Sequence, residues 1–434
     1  MPARLWLFLP TYNEVGNLDK VVRATVEALE RAVPADWRIL VVDDASPDGT
    51  GDLADRDWTH HDTGGNGANI EAQVSRWVAW GNHVTVVTGS YPGAKKVEQL
   101  GPRLTVHRAG NRATVFPRAF LTVMRGVGRD ADVVVEVING ITFLTPLWLR
   151  KPRVAMVHHV HRELFIGEFG VAGHLIYWLA EKLPLSLLYR RTPFMTISNS
   201  ARDDLTRDGI PAHNITVEYL GVDREKYGRT TRAEEPRLIF VGRLKAYKNV
   251  EAILDVLEAI PELALDVVGE GDHRPDLEAE IARRGLGDRV VMHGYVDDRR
   301  KAELYGRAWI NMTASQSEGW SLTVMEAALC GTPSIALAIG GLPESIVDGT
   351  TGLLARDTAG LIEQTRRLLA HGELREALGA AAETRASGFT WDRSARAYLE
   401  VMRRQAGVAT DPQDQIFQGA LPADQASLSS TESL

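Results

Sequence analysis

Short runs of Val, Ile and Leu alternate along this chain with longer stretches of helical spacing. Residues 5–9, 39–42, 84–88, 104–107, 133–137 and 154–157 read as strands. Residues 18–31, 70–80 and 116–124 place apolar side chains on one helical face. A helical stretch with Phe165, Phe169, Tyr177 and Trp178 ends near Arg190-Arg191, and Thr196-Ile197 is a strand entering a helix capped by Ser198 or Ser200. Further on, 238–241 is a continuous apolar run of the buried, parallel type, and Leu265-Asp266-Val267-Val268 reads as a second strand. An apolar helix starts at about Ser321, is stopped by Gly331 and Pro333, and is followed by a strand at 334–338. Such alternation builds parallel sheets flanked by helices, so the expected class is α/β. The reading gives four parts: a βαβ opening at 1–56, a first domain at 57–228, a second at 229–404 entered through the polar stretch 229–236, and a polar, aromatic-poor tail at 405–434 expected to be disordered.

Composition narrows this little. With 44% hydrophobic and 24% charged residues, 434 positions suffice for several buried cores. A net charge of −8 gives no support for nucleic acid as a partner. The single Cys330, inside an apolar helix, fits a reducing compartment. No stretch has the pattern of a signal peptide or a spanning helix, so the expected location is cytoplasmic. Peripheral contact with the inner membrane face is a further reading, from the arginines at 103, 108, 112, 118 and 125 and the aromatic stretch after 165. A solvated face and core packing are the plainer explanations of both features.

Candidate chemistry gathers at strand ends. The run ending at Val241 leads into Gly242-Arg243-Leu244, with Lys248-Asn249 close behind, and the next leads into Gly269-Glu270-Gly271. Open α/β sheets bind ligands at such carboxyl ends. Glu318 precedes the helix from Ser321, and Glu326 lies within it on the face of Leu322. Free N–H groups in the first turn suit a phosphate, and carboxylates accept hydrogen bonds from hydroxyls. Together they describe a sugar nucleotide; singly, each glutamate is explained as solvated or capping. Gly64-Gly65-Asn66-Gly67 before a helix would let backbone amides approach a diphosphate or acceptor, or is a flexible turn. His158-His159-Val160-His161 ends the strand at 154–157; histidines at these spacings could suggest a metal, but that is the minor reading here.

These motifs resemble the retaining glycosyltransferases of family 4, which have the GT-B architecture. The resemblance spans about residues 58–404. It rests on Phe240-Val241-Gly242-Arg243-Leu244 with Lys248-Asn249, Val268-Gly269-Glu270-Gly271, His293-Gly294-Tyr295-Val296, Glu318 with Glu326, and Gly340-Gly341-Leu342-Pro343-Glu344. It implies two Rossmann-like domains facing across a cleft. By the same match, His158 (His159 as second choice) faces the donor sugar and Glu318 orients its hydroxyls, while Glu326 holds the ribose. Arg243, Lys248 and the helix start at Ser321, Leu322 and Thr323 take up diphosphate charge, and Gly64, Gly65, Gly242 and Gly271 line the donor site. The implied reaction moves a hexose from a GDP-mannose or UDP-glucose type donor, with retention and no metal or cofactor, to a lipid-linked, sugar or small-molecule acceptor.

The opening differs. Leu9-Pro10-Thr11-Tyr12-Asn13-Glu14 and Val42-Asp43-Asp44 resemble the start of a family 2 polyprenol-phosphate mannosyltransferase. Its metal-binding Asp-x-Asp does not follow in place, since Asp130-Ala131-Asp132 precedes an apolar run where the motif should follow one. The expectation is that the strand at 39–42, or that at 5–9, fills the first position of the N-terminal sheet. Competing readings are a metal-dependent family 2 enzyme, a pyridoxal-phosphate enzyme of the glycogen-phosphorylase type, and an inactive nucleotide-binding fusion remnant.

Overall fold

A computed structural model describes residues 6–7, 38–43, 65–91, 93–111 and 114–407. The predicted helix at 18–31, Gly64 and the tail beyond 407 lie outside the described residues. Two compact units emerge: one runs to Tyr219 and takes back the chain from Ser394, and the other runs from Leu220 to Arg393.

The first unit is built on a nine-stranded sheet. Its strands are β1 (Trp6–Leu7), β2 (Arg38–Asp43), β3 (His83–Thr88), β4 (Val97–Gly101), β5 (Leu104–Arg108), β6 (Val133–Ile138), β7 (Arg153–Val157), β8 (Phe194–Thr196) and β9 (Ile215–Val217). The order is β4-β5-β3-β2-β1-β6-β7-β8-β9, with β2 also paired to β6. All neighbours are parallel except β4, an antiparallel edge strand that its polar Val97–Gly101 sequence gave no cause to expect. Residues Val133–Ile138 are all buried, as a parallel strand covered on both faces requires. Ile39 to Asp43 of β2 pair in parallel with Val133 to Val137 of β6, and Trp6 and Leu7 of β1 are also paired there, so both candidate strands enter the sheet.

The helix Gly65–Ala79 lays Ile70, Val74 and Trp77 into the core at helical spacing. It begins at Gly65 itself, so that glycine opens the helix instead of forming a turn before residue 70. Trp77 donates its indole N–H to the Ala395 carbonyl at 2.9 Å. Ala395, Tyr398, Leu399 and Met402 of the helix Trp391–Gln405 join the same core. The long helical stretch after residue 161 is broken at Gly170, whose φ of +57° interrupts the helix, and it continues through a π-turn at Trp178–Lys182. Of the two proposed caps, Ser198 takes the role, accepting from the Ala201 N–H at 3.1 Å.

The second unit carries a six-stranded, all-parallel sheet of β10 (Arg237–Val241), β11 (Ala264–Val268), β12 (Val290–Gly294), β13 (Ile310–Thr313), β14 (Ser334–Leu337) and β15 (Gly352–Ala355), in the order β12-β11-β10-β13-β14-β15. Ile253, Leu254 and Leu257 of the helix Val250–Ala259 pack with Phe240, Val267 and Met312. Each such fully buried side chain contributes about 1.5–3 kcal/mol. No helix among the described residues is long and apolar enough to cross a membrane.

Candidate functional site

In the second unit, the loops after β10 and β11 meet backbone to backbone. The Gly242 N–H donates to the Val268 carbonyl at 3.0 Å, and that of Leu244 to the Glu270 carbonyl at 2.8 Å. A Cβ at Gly269 would stand 1.9 Å from the Gly242 oxygen, and one at Gly271 2.1 Å from that of Leu244. Only glycine permits this approach. Arg243 is half-buried in the first of these loops.

The turn Ala246–Lys248 follows, and Asn249, at φ +51°, redirects the chain into the helix Val250–Ala259. Lys248 thereby comes to Glu318: its Nζ lies 2.6 Å from Glu318 Oε2, with both side chains 16% exposed. Burial opposes the ammonium charge, but the Glu318 carboxylate outweighs it and the lysine pKa lies above its ordinary value. Ser315 donates to the same Oε2 at 3.2 Å. An ammonium has three N–H donors, so the pair leaves Lys248 capacity for a further anion, and Glu318 keeps Oε1 for a hydroxyl.

The Glu318 loop is held from behind by the glycine pair at 340–341. The Gly341 N–H donates to the Glu318 carbonyl at 2.7 Å, and a Cβ at Gly341 would lie 1.9 Å from the Gly319 oxygen. The helix Leu322–Leu329 then starts, with Ser321 as its cap toward the Val324 N–H at 3.4 Å. The Thr323 hydroxyl lies 3.1 Å from that of Ser321. With Val324 capped, the amides of Leu322 and Thr323 are the first-turn donors that a ligand anion can use.

Glu326 is engaged by residues the sequence reading did not single out. Tyr227 donates to its Oε1 at 2.7 Å, Lys301 to the same atom at 3.0 Å, and Tyr305 to Oε2 at 3.0 Å. Burial and the Glu326 charge raise the Tyr227 and Tyr305 pKa values well above the usual tyrosine range, so both remain donors. A carboxylate has about four acceptor sites, and with three used one remains for a ligand hydroxyl. A cavity of about 560 Å³ lined in part by Tyr227, Arg229 and Asp298 opens beside this network. Lys301 and Tyr305 are four apart on the helix Asp298–Arg307, a spacing visible in sequence but without a partner to point to. Lys245, buried against Asp272 at 2.8 Å, was likewise not expected.

In the first unit, His158 follows β7 and is 4% exposed. Burial first, then His159 and His161, hold its pKa down to about 3, so the imidazole is neutral at physiological pH. His159 and His161 stack with ring centroids 4.2 Å apart. Among the described residues no group of three or more His, Cys, Asp or Glu side chains is arranged to hold a metal ion.

The sequence profile described as Glycosyl transferases group 1 matches residues 223–385, that of Glycosyltransferase Family 4 residues 63–226, and that of Glycosyl transferase family 2 residues 6–61. The chain is 33% identical over 351 residues to a D-inositol 3-phosphate glycosyltransferase of Actinosynnema mirum, covering 72% of this chain and 80% of the relative. It spans about half the length of other curated relatives, 44% and 49% in two cases. Among solved structures, sucrose-phosphate synthase from Thermosynechococcus elongatus superposes with a TM-score of 0.69 at 21% identity, over 79% of this chain and 94% of that one. HepE from Anabaena, solved with UDP and glucose, superposes with a TM-score of 0.59 at 18% identity, over 91% and 98%. Both likenesses show the GT-B fold. The chain therefore belongs to the group 1, family 4 glycosyltransferases, and carries at residues 6–61 a stretch of the family 2 kind.

Proposed function

We propose that this chain transfers a hexose from a nucleotide-sugar of the GDP-mannose or UDP-glucose type to a lipid-linked, sugar or small-molecule acceptor, retaining the anomeric configuration and using no metal ion. The observation that carries this is the Lys248–Glu318 pair, held against the glycine-lined ends of β10 and β11 and just ahead of a capped helix start. Cleavage of the sugar–phosphate bond leaves negative charge on the diphosphate. Lys248, Arg243 and the amides of Leu322 and Thr323 are the groups proposed to stabilise it. Glu318 would orient the sugar hydroxyls through Oε1, and Glu326 would accept one ribose hydroxyl. His158, whose pKa of about 3 makes it a weak base, would orient the sugar instead of taking the acceptor proton. In this account no protein nucleophile is used: a phosphate oxygen of the departing nucleotide helps to take the acceptor proton on the same face. HepE, solved with UDP and glucose, is a nearby precedent for the donor class.

Peripheral membrane contact is part of the proposal. Leu121, Met124 and Leu147 are exposed near the exposed Arg118 and Arg125. Arg108 does not contribute, since it is buried against Glu98 at 2.8 Å, and Arg112 lies outside the described residues. The inner face of the membrane is the proposed location of that contact, with the chain otherwise cytoplasmic.

The competing reading, a metal-dependent family 2 enzyme, rests on the match at residues 6–61. A thermal-shift panel of nucleoside diphosphates identifies the base, and turnover in excess chelator with assignment of the product anomer tests the rest. Loss of all activity in chelator, or an inverted product, overturns the reading; binding without turnover would make the chain a nucleotide-binding remnant.

A further inference from the structure

The end of β7 carries a buried polar chain that runs across the first unit. Asn69, on the helix Gly65–Ala79, places its Nδ2 2.6 Å from His158 Nε2. One turn along, Gln73 donates its Nε2 to Asn69 Oδ1 at 3.2 Å and to Ser394 Oγ at 2.7 Å. All four residues are buried. His158 Nδ1, also buried, has no hydrogen-bond partner among the described residues.

We infer that Asn69 is a positioning residue that sets the tautomer of His158, keeping the ring proton on Nδ1 as the donor offered to a ligand oxygen. Gln73 fills Asn69 Oδ1, which leaves the NH2 of Asn69 to face the ring. A donor facing Nε2 makes that nitrogen an acceptor, and a neutral imidazole then holds its proton on Nδ1. The reverse arrangement requires both amides to turn together. It would put the Gln73 NH2 where Oε1 now lies without a partner, trading one unused acceptor for two unused donors. Nδ1–H is thus a buried donor at the carboxyl edge of a parallel sheet, where open α/β folds place their ligands. A hydroxyl or phosphoryl oxygen fits it and a cation does not. That the ligand is the donor sugar rests on the function proposed above; the tautomer does not.

The test uses the full chain labelled with 15N-histidine, read by two-bond proton–nitrogen correlation at pH 7, with His158 assigned by its loss in His158→Gln. The expected pattern has Nδ1 protonated and Nε2 bare. Asn69→Asp offers the ring only acceptors, so the proton should move to Nε2 or the ring should become doubly protonated. With a sugar donor and acceptor in hand, kcat should fall at least tenfold with a smaller change in donor KM. Gln73→Glu serves as the second variant: it should turn the Asn69 amide around and give the same Nε2–H pattern without touching the histidine. A wild-type His158 protonated on Nε2, or a pattern unmoved in both variants, overturns the inference. An unchanged rate beside a moved tautomer would sink the sugar contact and leave the tautomer device standing.

Discussion

Lys248 Nζ and Glu318 Oε2 stand 2.6 Å apart, joining the loop that leaves β10 to the loop that enters the helix Leu322–Leu329. The cation ends the turn Ala246–Lys248 just before the left-handed Asn249, and the backbone that carries the carboxylate is braced by the Gly341 amide. Truncating either partner leaves the other as a largely buried charge without its counter-ion, so the pair is sensitive from both sides.

Lys248→Ala and Arg243→Ala are each expected to lower kcat by about a hundred- to a thousandfold, the range for losing one preorganised donor to a developing oxyanion. Acceptor KM should change far less. Steady-state rates at saturating donor check this, and an unchanged rate in either variant removes that residue from the mechanism.

Replacing Glu326 by Ala deletes the proposed acceptor for the ribose and leaves Tyr227, Lys301 and Tyr305 without their common partner. A charge-assisted hydrogen bond of about 1.5–3 kcal/mol predicts a ten- to hundredfold weaker affinity for the free nucleoside diphosphate. Calorimetry decides it, with wild-type affinity counting against the ribose role. Tyr305→Phe frees a second site on the carboxylate and is expected to change affinity by less than Glu326→Ala does.

Acid should weaken the first unit through His158. Its folded pKa of about 3 lies below the unfolded value, so its contribution is complete above about pH 6.5 and is lost as pH falls toward 3. Between pH 7 and pH 5 the loss is about 2 kcal/mol for this one group. Denaturant unfolding of the wild type and of His158→Asn at both pH values should show a smaller decline in the variant. Equal declines would mean that the histidine titrates alike in both states.

A chain beginning at Asp57 lacks β2 and so strips a partner from Ile39's neighbour Val133 and the four residues after it in β6. It is expected to be less soluble and to melt earlier than the full chain. Equal behaviour would show that the N-terminal strands do not complete the sheet.

What could be read beforehand follows from how local each cause is. The helix start at Ser321, its stop at Gly331 and apolar strands such as β3, β6, β7 and β10 are written in short stretches, because caps, left-handed glycines and apolar runs act within a few residues, whereas β4, β9, β13 and β15 were not read beforehand. Close approach explains Gly269 and Gly271, whose place after apolar strands was informative without knowing what they meet. The Glu326 network was not legible: Tyr227 lies about seventy residues before the helix that carries Lys301 and Tyr305, Glu326 lies on another helix, and in sequence each partner is an ordinary surface or core residue. The same holds for Asn69, which in isolation is one polar position near the start of an amphipathic helix.

The first unit is discontinuous in sequence, since its core needs Ala395, Tyr398, Leu399 and Met402, and these are made only after all of the second unit. During synthesis the second unit is therefore made in full before the first can close, and Trp77 waits for the carbonyl of Ala395 until the last helix emerges. Until that helix emerges, Ile70, Val74 and Trp77 lack the side chains of Ala395, Tyr398, Leu399 and Met402 that complete their core.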